Sequence, residues 1–300
     1  MKPPKKSLFK STDKPQPRPV RRQPQREAQP PKPRQDEPLP ARSDGRQTHW
    51  DPVAKWYNGW VGKKGSLYHR AVAIPKVMEL ADPKPNELLL DLGCGQGVLA
   101  PHTLKRGARY QGVDGSRTLI GLARRHHGEP PRGKAAAQFI LGDVRKLGAL
   151  PEIQAGSADV AVFMLSVQDM DPLDEVLAAA GGALKADGRI VIFMLHPAFR
   201  VPRQSGWGFD PGRKLTYRRV DSYLTPRAVP MKAYAEVSAR PSGTTMSFHR
   251  PLGAYINTLS ELGFLLERLD ELPDPNVEQN TKKETLDIPL FVALKARRLG

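Results

Sequence analysis

The sequence predicts an α/β domain: a doubly wound, mostly parallel sheet covered by helices on both faces, with a cap inserted after the fifth strand. Three observations predict it. Short apolar runs alternate with helix-length segments between about residues 52 and 195, the pattern that builds βαβ units. The first clear run, LLLDLGCGQGVLA at residues 88–100, ends in an acid followed by glycines at 93, 95 and 97, which suits a tight turn from a buried strand into a helix. Two later runs also end in acids, Asp114 in YQGVDGS and Asp143 in FILGDVRKL, and open α/β sheets bind ligands at the carboxyl ends of their strands.

The elements follow in order. Residues 1–49 stand apart as a basic, proline-rich tail. Residues 1–50 hold eleven of the thirty prolines and thirteen Lys and Arg against five Asp and Glu, so half of the net charge of +16 lies there. So little apolar surface cannot offset the entropy of ordering, and the tail is expected to be disordered. Residues 50–300 then form one domain. A helical segment over about 52–80 carries Trp56, Tyr57, Trp60 and Tyr68. Strands are expected near 88–92, 110–113, 138–141 and 159–165, with helices between them. One of these begins near Gly97, where Pro101 fits the first turn. The stretch DPLDEVLAAAGGALKADG at 171–188 reads as a helix closed by the turn Ala186, Asp187, Gly188, and it feeds the fifth strand, RIVIFML at 189–195. From about 196 to 249 the alternation stops and the residues become aromatic and basic, so this part is expected to form the cap. A helix over 250–263 leads to FLLERL and PLFVALKARR, an expected antiparallel pair.

Composition excludes several classes. Cys94 is the only cysteine, so no intramolecular disulfide forms and no metal site is expected. No run approaches membrane-spanning length and no apolar stretch follows the early lysines, so a cytoplasmic protein without membrane insertion is the default. The tail has two readings. Clustered Lys and Arg suit weak contact with nucleic acid or another anionic surface, but Phe9 is the only aromatic before Trp50, so stacking residues are lacking and a solubilising extension is favoured.

The pattern D-x-G-C-G-x-G at residues 91–97, with valine at 98 where a dinucleotide loop would place glycine, resembles the cofactor loop of class I S-adenosylmethionine (SAM) dependent methyltransferases. With the ADG-RIVIF approach to the fifth strand and the helix HRPLGAYINTLSELGF, the chain is similar to a broad group of small bacterial methyltransferases, type 11-like, that includes quinone-biosynthesis and malonyl-carrier-protein enzymes. The resemblance covers roughly residues 50–298. It implies a seven-stranded sheet with the last strand inserted against the rest, and SAM as cofactor. On this resemblance Asp91, Gly93, Cys94, Gly95 and Gly97 form the loop beneath the methionine moiety. Asp114 accepts from the ribose hydroxyls, Asp143 and the Val144 N–H meet the adenine, and Leu165 lies beside the cofactor. Cys94 reads as a small packed residue rather than a nucleophile. Tyr57 is expected to act as a lid near the sulfonium, while the tryptophans beside it are expected to be packing residues.

The acceptor side is less determined. His196 directly follows the fifth strand and is a candidate base; a histidine anchoring the Pro197 turn is the alternative. Tyr217, Tyr223 and His249 are further catalytic candidates. If Arg200, Arg203, Arg218 or Arg219 faces the pocket, an anionic acceptor becomes attractive. The place after the fourth strand reads MLSVQDMDP. It lacks the Asp/Asn-Pro-Pro-aromatic grip and the Pro-Cys nucleophile of base-methylating enzymes. The expected activity is methyl transfer to an oxygen or nitrogen of a small molecule. An RNA or ribosome-associated methyltransferase guided by the tail is one alternative, and a non-catalytic SAM-binding module is the other.

Overall fold

Alternate leucines of one short strand serve two cores. In β1 (Leu88–Leu92), Leu88, Leu90 and Leu92 face one apolar cluster while Leu89 faces another, so the strand is buried on both sides as a central parallel strand must be. The computed structural model describes residues 50–129, 136–232, 244–275 and 287–299. The tail expected at residues 1–49 lies outside the described residues.

The strands after β1 are β2 (Arg109–Asp114), β3 (Gln138–Leu141), β4 (Ala158–Met164), β5 (Leu184–Leu195), β6 (Ser205–Asp210), β7 (Leu215–Val220), β8 (Arg227–Lys232), β9 (Thr244–His249), β10 (Phe264–Leu272) and β11 (Phe291–Arg298). Seven of them form one sheet in the order β10-β11-β5-β4-β1-β2-β3. Pairing is parallel from β5 through β3, and β11 lies antiparallel between β5 and β10. The helices are α1 (Ala54–Val61), α2 (Ile74–Ala81), α3 (Ala100–Lys105), α4 (Arg117–His127), α5 (Leu173–Ala183) and α6 (Leu252–Glu261). Leu173, Val176 and Leu177 of α5 and Tyr255 and Leu259 of α6 cover one face. Ile74 and Val77 of α2, Ala100 of α3, and Ile120 and Ala123 of α4 cover the other. Each large apolar side chain fully buried in this way contributes roughly 1.5–3 kcal/mol.

Four features depart from the sequence reading. The helical segment expected over 52–80 is broken in two, because Gly62 (φ 61°) and Gly65 (φ 88°) turn the chain, a conformation that costs glycine nothing. The helix expected from Gly97 starts at Ala100, after a tight turn. The turn at 186–188 is absorbed into β5 as a bulge: Leu184 pairs with Ala158, but the next pair joins Arg189 to Val160. Finally, the described residues of the 196–249 segment form two separate antiparallel strand pairs, β6-β7 and β8-β9.

Candidate active site

A cavity of about 1070 Å³ lies where the chain leaves β1, β2 and β4, lined there by Gly93, Gly95, Asp114, Leu165 and Ser166. The glycine loop forms its floor. The N–H groups of Gly93 and Cys94 both donate to the Val113 carbonyl, at 2.8 and 3.1 Å, which ties the loop to β2. Gly93 has φ 74°, and a Cβ there would come within 2.6 Å of Ser166 Cβ. At Gly97 (φ 78°) a Cβ would lie 2.5 Å from the Phe139 ring. These two glycines are required by what packs behind them. Gly95 differs: a Cβ there would sit 3.7 Å from Tyr57 Cε1, in the open groove between loop and ring.

Asp114 borders this groove. Its Oδ2 accepts from Gly95 N at 2.9 Å and its Oδ1 from Ser116 N at 2.8 Å, and each oxygen keeps acceptor capacity for a further donor. Burial raises its pKa, against the two backbone donors, with Asp51 adding a smaller push upward. Asp51 itself accepts from Ser116 Oγ and from Thr118 N. That clasp holds the segment before α1 against the start of α4, and it sets Trp50 edge-on to Tyr57 at 5.2 Å. The Tyr57 phenol is held protonated by burial and by the charges of Asp114 and Asp169.

The other expected cofactor residues divide into two sets. Asp143, Val144, Leu165 and Tyr57 line the cavity with Gly93, Gly95 and Asp114. Asp143 caps the turn Val144–Ala149 and is gripped by Arg145, Nη2 to Oδ2 at 2.6 Å. Burial alone would raise the Asp143 pKa, but the Arg145 fork outweighs it and the carboxyl is held low. Leu165 adopts φ 59° and donates its N–H to Phe193 O at 2.7 Å. Asp91, Cys94 and Gly97 do not line the cavity; Asp91 lies near the end of β1 behind the loop, and Cys94 and Gly97 belong to the loop but pack away from the cavity. The Tyr110 hydroxyl donates to Asp91 at 2.7 Å. Burial pushes Asp91 up to about 7, opposed by that bond and helped by Asp114. The Cys94 thiol is buried, and burial followed by Asp114 and Asp91 disfavours its thiolate, so it is no nucleophile.

All four candidate catalytic residues fall outside the cavity lining. His196 is 2% exposed. Its Nδ1 accepts from Ala198 N at 3.2 Å, so Nε2 carries the proton and donates to Glu271 Oε1 at 2.6 Å. Its neighbour Leu195 lines the cavity, and His196 is turned the other way as an anchor of the Pro197 turn. His249 Nε2 donates to the Tyr223 carbonyl at 2.7 Å, and the Tyr223 hydroxyl accepts from Leu252 N at 2.9 Å; together they fix the entry to α6. Tyr217 lies on the exposed β6-β7 hairpin, its ring over Gly208. The tryptophans also depart from expectation. Trp56 and Trp60 stack on each other at 6.3 Å and line the cavity rather than a core.

Asp169 was missed. It ends the turn Val167–Asp169 just past β4, lines the cavity and hydrogen-bonds Ser247 of β9. Burial raises its carboxyl to about 8, against the Ser247 bond. The signal was present in MLSVQDMDP: it is a third acid beyond a strand end, like Asp114 and Asp143. His69 also lines the cavity, hydrogen-bonded through Nδ1 to Ser66 Oγ at 2.8 Å and held at about 4 by burial and then Arg70, so it stays neutral. Of the described cap residues, Arg200 and, from β8-β9, Met231, Thr245, Ser247 and Phe248 line the cavity.

Residues 90–192 match the family model described as a methyltransferase domain. The chain is 29% identical over 207 residues to nocamycin O-methyltransferase of Saccharothrix syringae, a match covering 67% of each protein. It is 25% identical over 181 residues to malonyl-[acyl-carrier protein] O-methyltransferase of Halalkalibacterium halodurans, covering 57% of this chain and 65% of that one. A ubiquinone biosynthesis O-methyltransferase of Nitrosococcus oceani is 28% identical over 117 residues, and there the match spans 38% of this chain and 45% of the relative. Solved SAM-dependent methyltransferases from Mesorhizobium loti (TM-score 0.60, 24% identity, 79% of this chain and 100% of that one) and Listeria monocytogenes (a putative one; TM-score 0.61, 22% identity, 77% and 99%) share the fold. No described helix is long and apolar enough to cross a membrane. The matched residues, the sheet order and the glycine loop with its flanking acids together show a SAM-dependent methyltransferase domain, with SAM as its cofactor.

Proposed function

We propose that the chain transfers the SAM methyl group to an oxygen of a small molecule held beside Asp169. The observation that carries this reading is the two-sided cavity. One side is the glycine loop with Asp114, Asp143 and Tyr57; the other includes Met231, Thr245, Ser247 and Phe248 of β8-β9, with the half-buried Asp169 hydrogen-bonded to Ser247. Its volume exceeds the usual range for one small ligand, which supports a cofactor and an acceptor together. The O-methyltransferases among the relatives support oxygen over nitrogen.

In this reading the Gly93–Gly95 backbone cradles the methionine end, Asp114 accepts from the ribose hydroxyls, and Asp143 with Val144 meets the adenine. Leu165 lies along the cofactor and Tyr57 covers it. When bound, SAM supplies a sulfonium-activated methyl carbon for in-line attack. The rest of the task is alignment and exclusion of water. Trp56, Tyr57 and Trp60 provide the cover. Asp169 takes the proton from the acceptor hydroxyl, and Ser247 orients its carboxyl. A carboxyl near 8 is a far stronger base than an ordinary one, although only its ionised fraction acts.

The test is transfer of labelled methyl from SAM to a panel of hydroxylated small molecules and, separately, to total RNA. Transfer to a small molecule that Asp169→Asn abolishes, with S-adenosylhomocysteine affinity kept, supports the reading. Labelling of RNA alone overturns it.

A further inference from the structure

We infer that the acceptor is an apolar molecule carrying an anionic oxygen group, and that this group docks on Arg200 where the large cavity meets a smaller one. The inference rests on the proposed methyl transfer and names the substrate class for that site.

Arg200 lines the large cavity, as do Leu195, Leu290 and Phe291, neighbours across the β5–β11 pairing. Arg200 also lines an adjoining cavity of about 100 Å³ together with Trp207, Arg218, Asp274 and Leu290. The other two arginines of the large cavity belong to its cofactor side: Arg145 grips Asp143, and Arg117 opens α4 beside the Asp51 clasp. Arg200 is therefore the cation of the acceptor side among the described residues.

The two arginines of the small cavity differ in how they are held. Arg218 is fixed, with Nε donating to Phe199 O at 2.7 Å, Nη2 donating to Ser205 Oγ at 2.9 Å, and the guanidinium lying 5.3 Å from the Trp207 ring centroid. The Arg200 guanidinium makes no hydrogen bond or ion pair with any described residue; its interactions are longer-range ones with Asp274 and Tyr68. Among the described residues, two guanidinium groups and one carboxylate leave this corner with a net positive charge. Such a half-buried pair of cations is costly by itself and is relieved by an oxyanion, which the planar fork of arginine matches. Both cavities open to the same guanidinium, so an apolar body in the large cavity places its charged end at the small one. Carboxylate and phosphate share this chemistry.

The test is calorimetric binding to the full chain, with S-adenosylhomocysteine present, of octanoate, octyl phosphate and the neutral octanamide. Either anion, or both, is expected to bind roughly ten- to a hundredfold more tightly than the amide, consistent with one charge-assisted contact; which one binds tells carboxylate from phosphate. Arg200→Gln should remove the preference and Arg200→Lys should keep part of it, while both leave S-adenosylhomocysteine affinity unchanged. Asp274→Asn should strengthen anion binding, because it removes the competing charge. Equal binding of amide and anions, no binding of either anion while S-adenosylhomocysteine binds, or an undiminished preference in Arg200→Gln overturns the inference. Failure of S-adenosylhomocysteine itself to bind instead removes the methyl-transfer reading, and the inference with it.

Discussion

Replacing Asp169 by asparagine should slow the enzyme and stabilise the protein at once. The half-buried carboxyl is raised from 3.8 to about 8, so over that range the folded chain keeps a proton that the unfolded chain has lost. Its contribution to stability therefore falls as pH rises from about 4 to 8 and levels off above, with a slope of up to about 1.4 kcal/mol per pH unit. At neutral pH the accumulated cost has a ceiling of about 4 kcal/mol, which water entering the cavity lowers. Asparagine keeps the shape and an acceptor for the Ser247 hydroxyl, and it has no proton to lose, so this contribution to the slope disappears. The same change removes the base, which should lower kcat by roughly a hundred- to ten-thousandfold. In the wild type, kcat should rise with pH up to about 8. Urea unfolding of both proteins at a series of pH values, with kcat measured alongside, gives both quantities. Parallel stability curves, or a variant within a few-fold of wild-type kcat, would refute the argument.

Three further outcomes follow from the same geometry. Asp114→Ala should weaken S-adenosylhomocysteine binding by roughly ten- to a thousandfold through the loss of one or two charge-assisted bonds, and unchanged calorimetric affinity in a folded variant would remove its ribose role. His196→Gln should lower the melting temperature, because it breaks the bond to Glu271 and the Pro197 turn, yet leave kcat per folded molecule near normal; a selective loss of kcat would return the residue to the reaction. Deleting residues 1–49 should leave S-adenosylhomocysteine affinity and turnover on a small acceptor nearly intact, whereas loss of a steep salt response in RNA binding on truncation would favour a nucleic-acid partner.

The parallel sheet was legible because its strands are buried on both faces, so each reads as a short unbroken apolar run bounded by turn residues. The floor of the site was legible because the glycines and acids follow those runs directly, and chain proximity there equals spatial proximity. The acceptor side was not. Its wall is made where β9 meets the turn after β4, two segments some eighty residues apart whose contact no local pattern encodes. His196 shows the limit from the other direction. Adjacency to a strand end fixes where a backbone is but not where a side chain points, and Leu195 takes the inward direction, leaving His196 to Glu271. Asp169 lies in a segment whose local pattern, MLSVQDMDP, carries no motif beyond the acid itself, so its contact with Ser247 of β9 is what singles it out.

Gly112 on β2 has no side chain, and the space a Cβ would occupy is filled by the Cys94 sulfur, 2.8 Å from that position. The chain's single thiol is thus a wedge between the cofactor loop and the neighbouring strand, sealed from solvent while the loop is seated. It serves as a built-in clock. A thiol reagent can reach Cys94 only when the loop lifts from β2, so the labelling rate counts loop openings, and a cofactor resting on that loop slows the count without touching the sulfur.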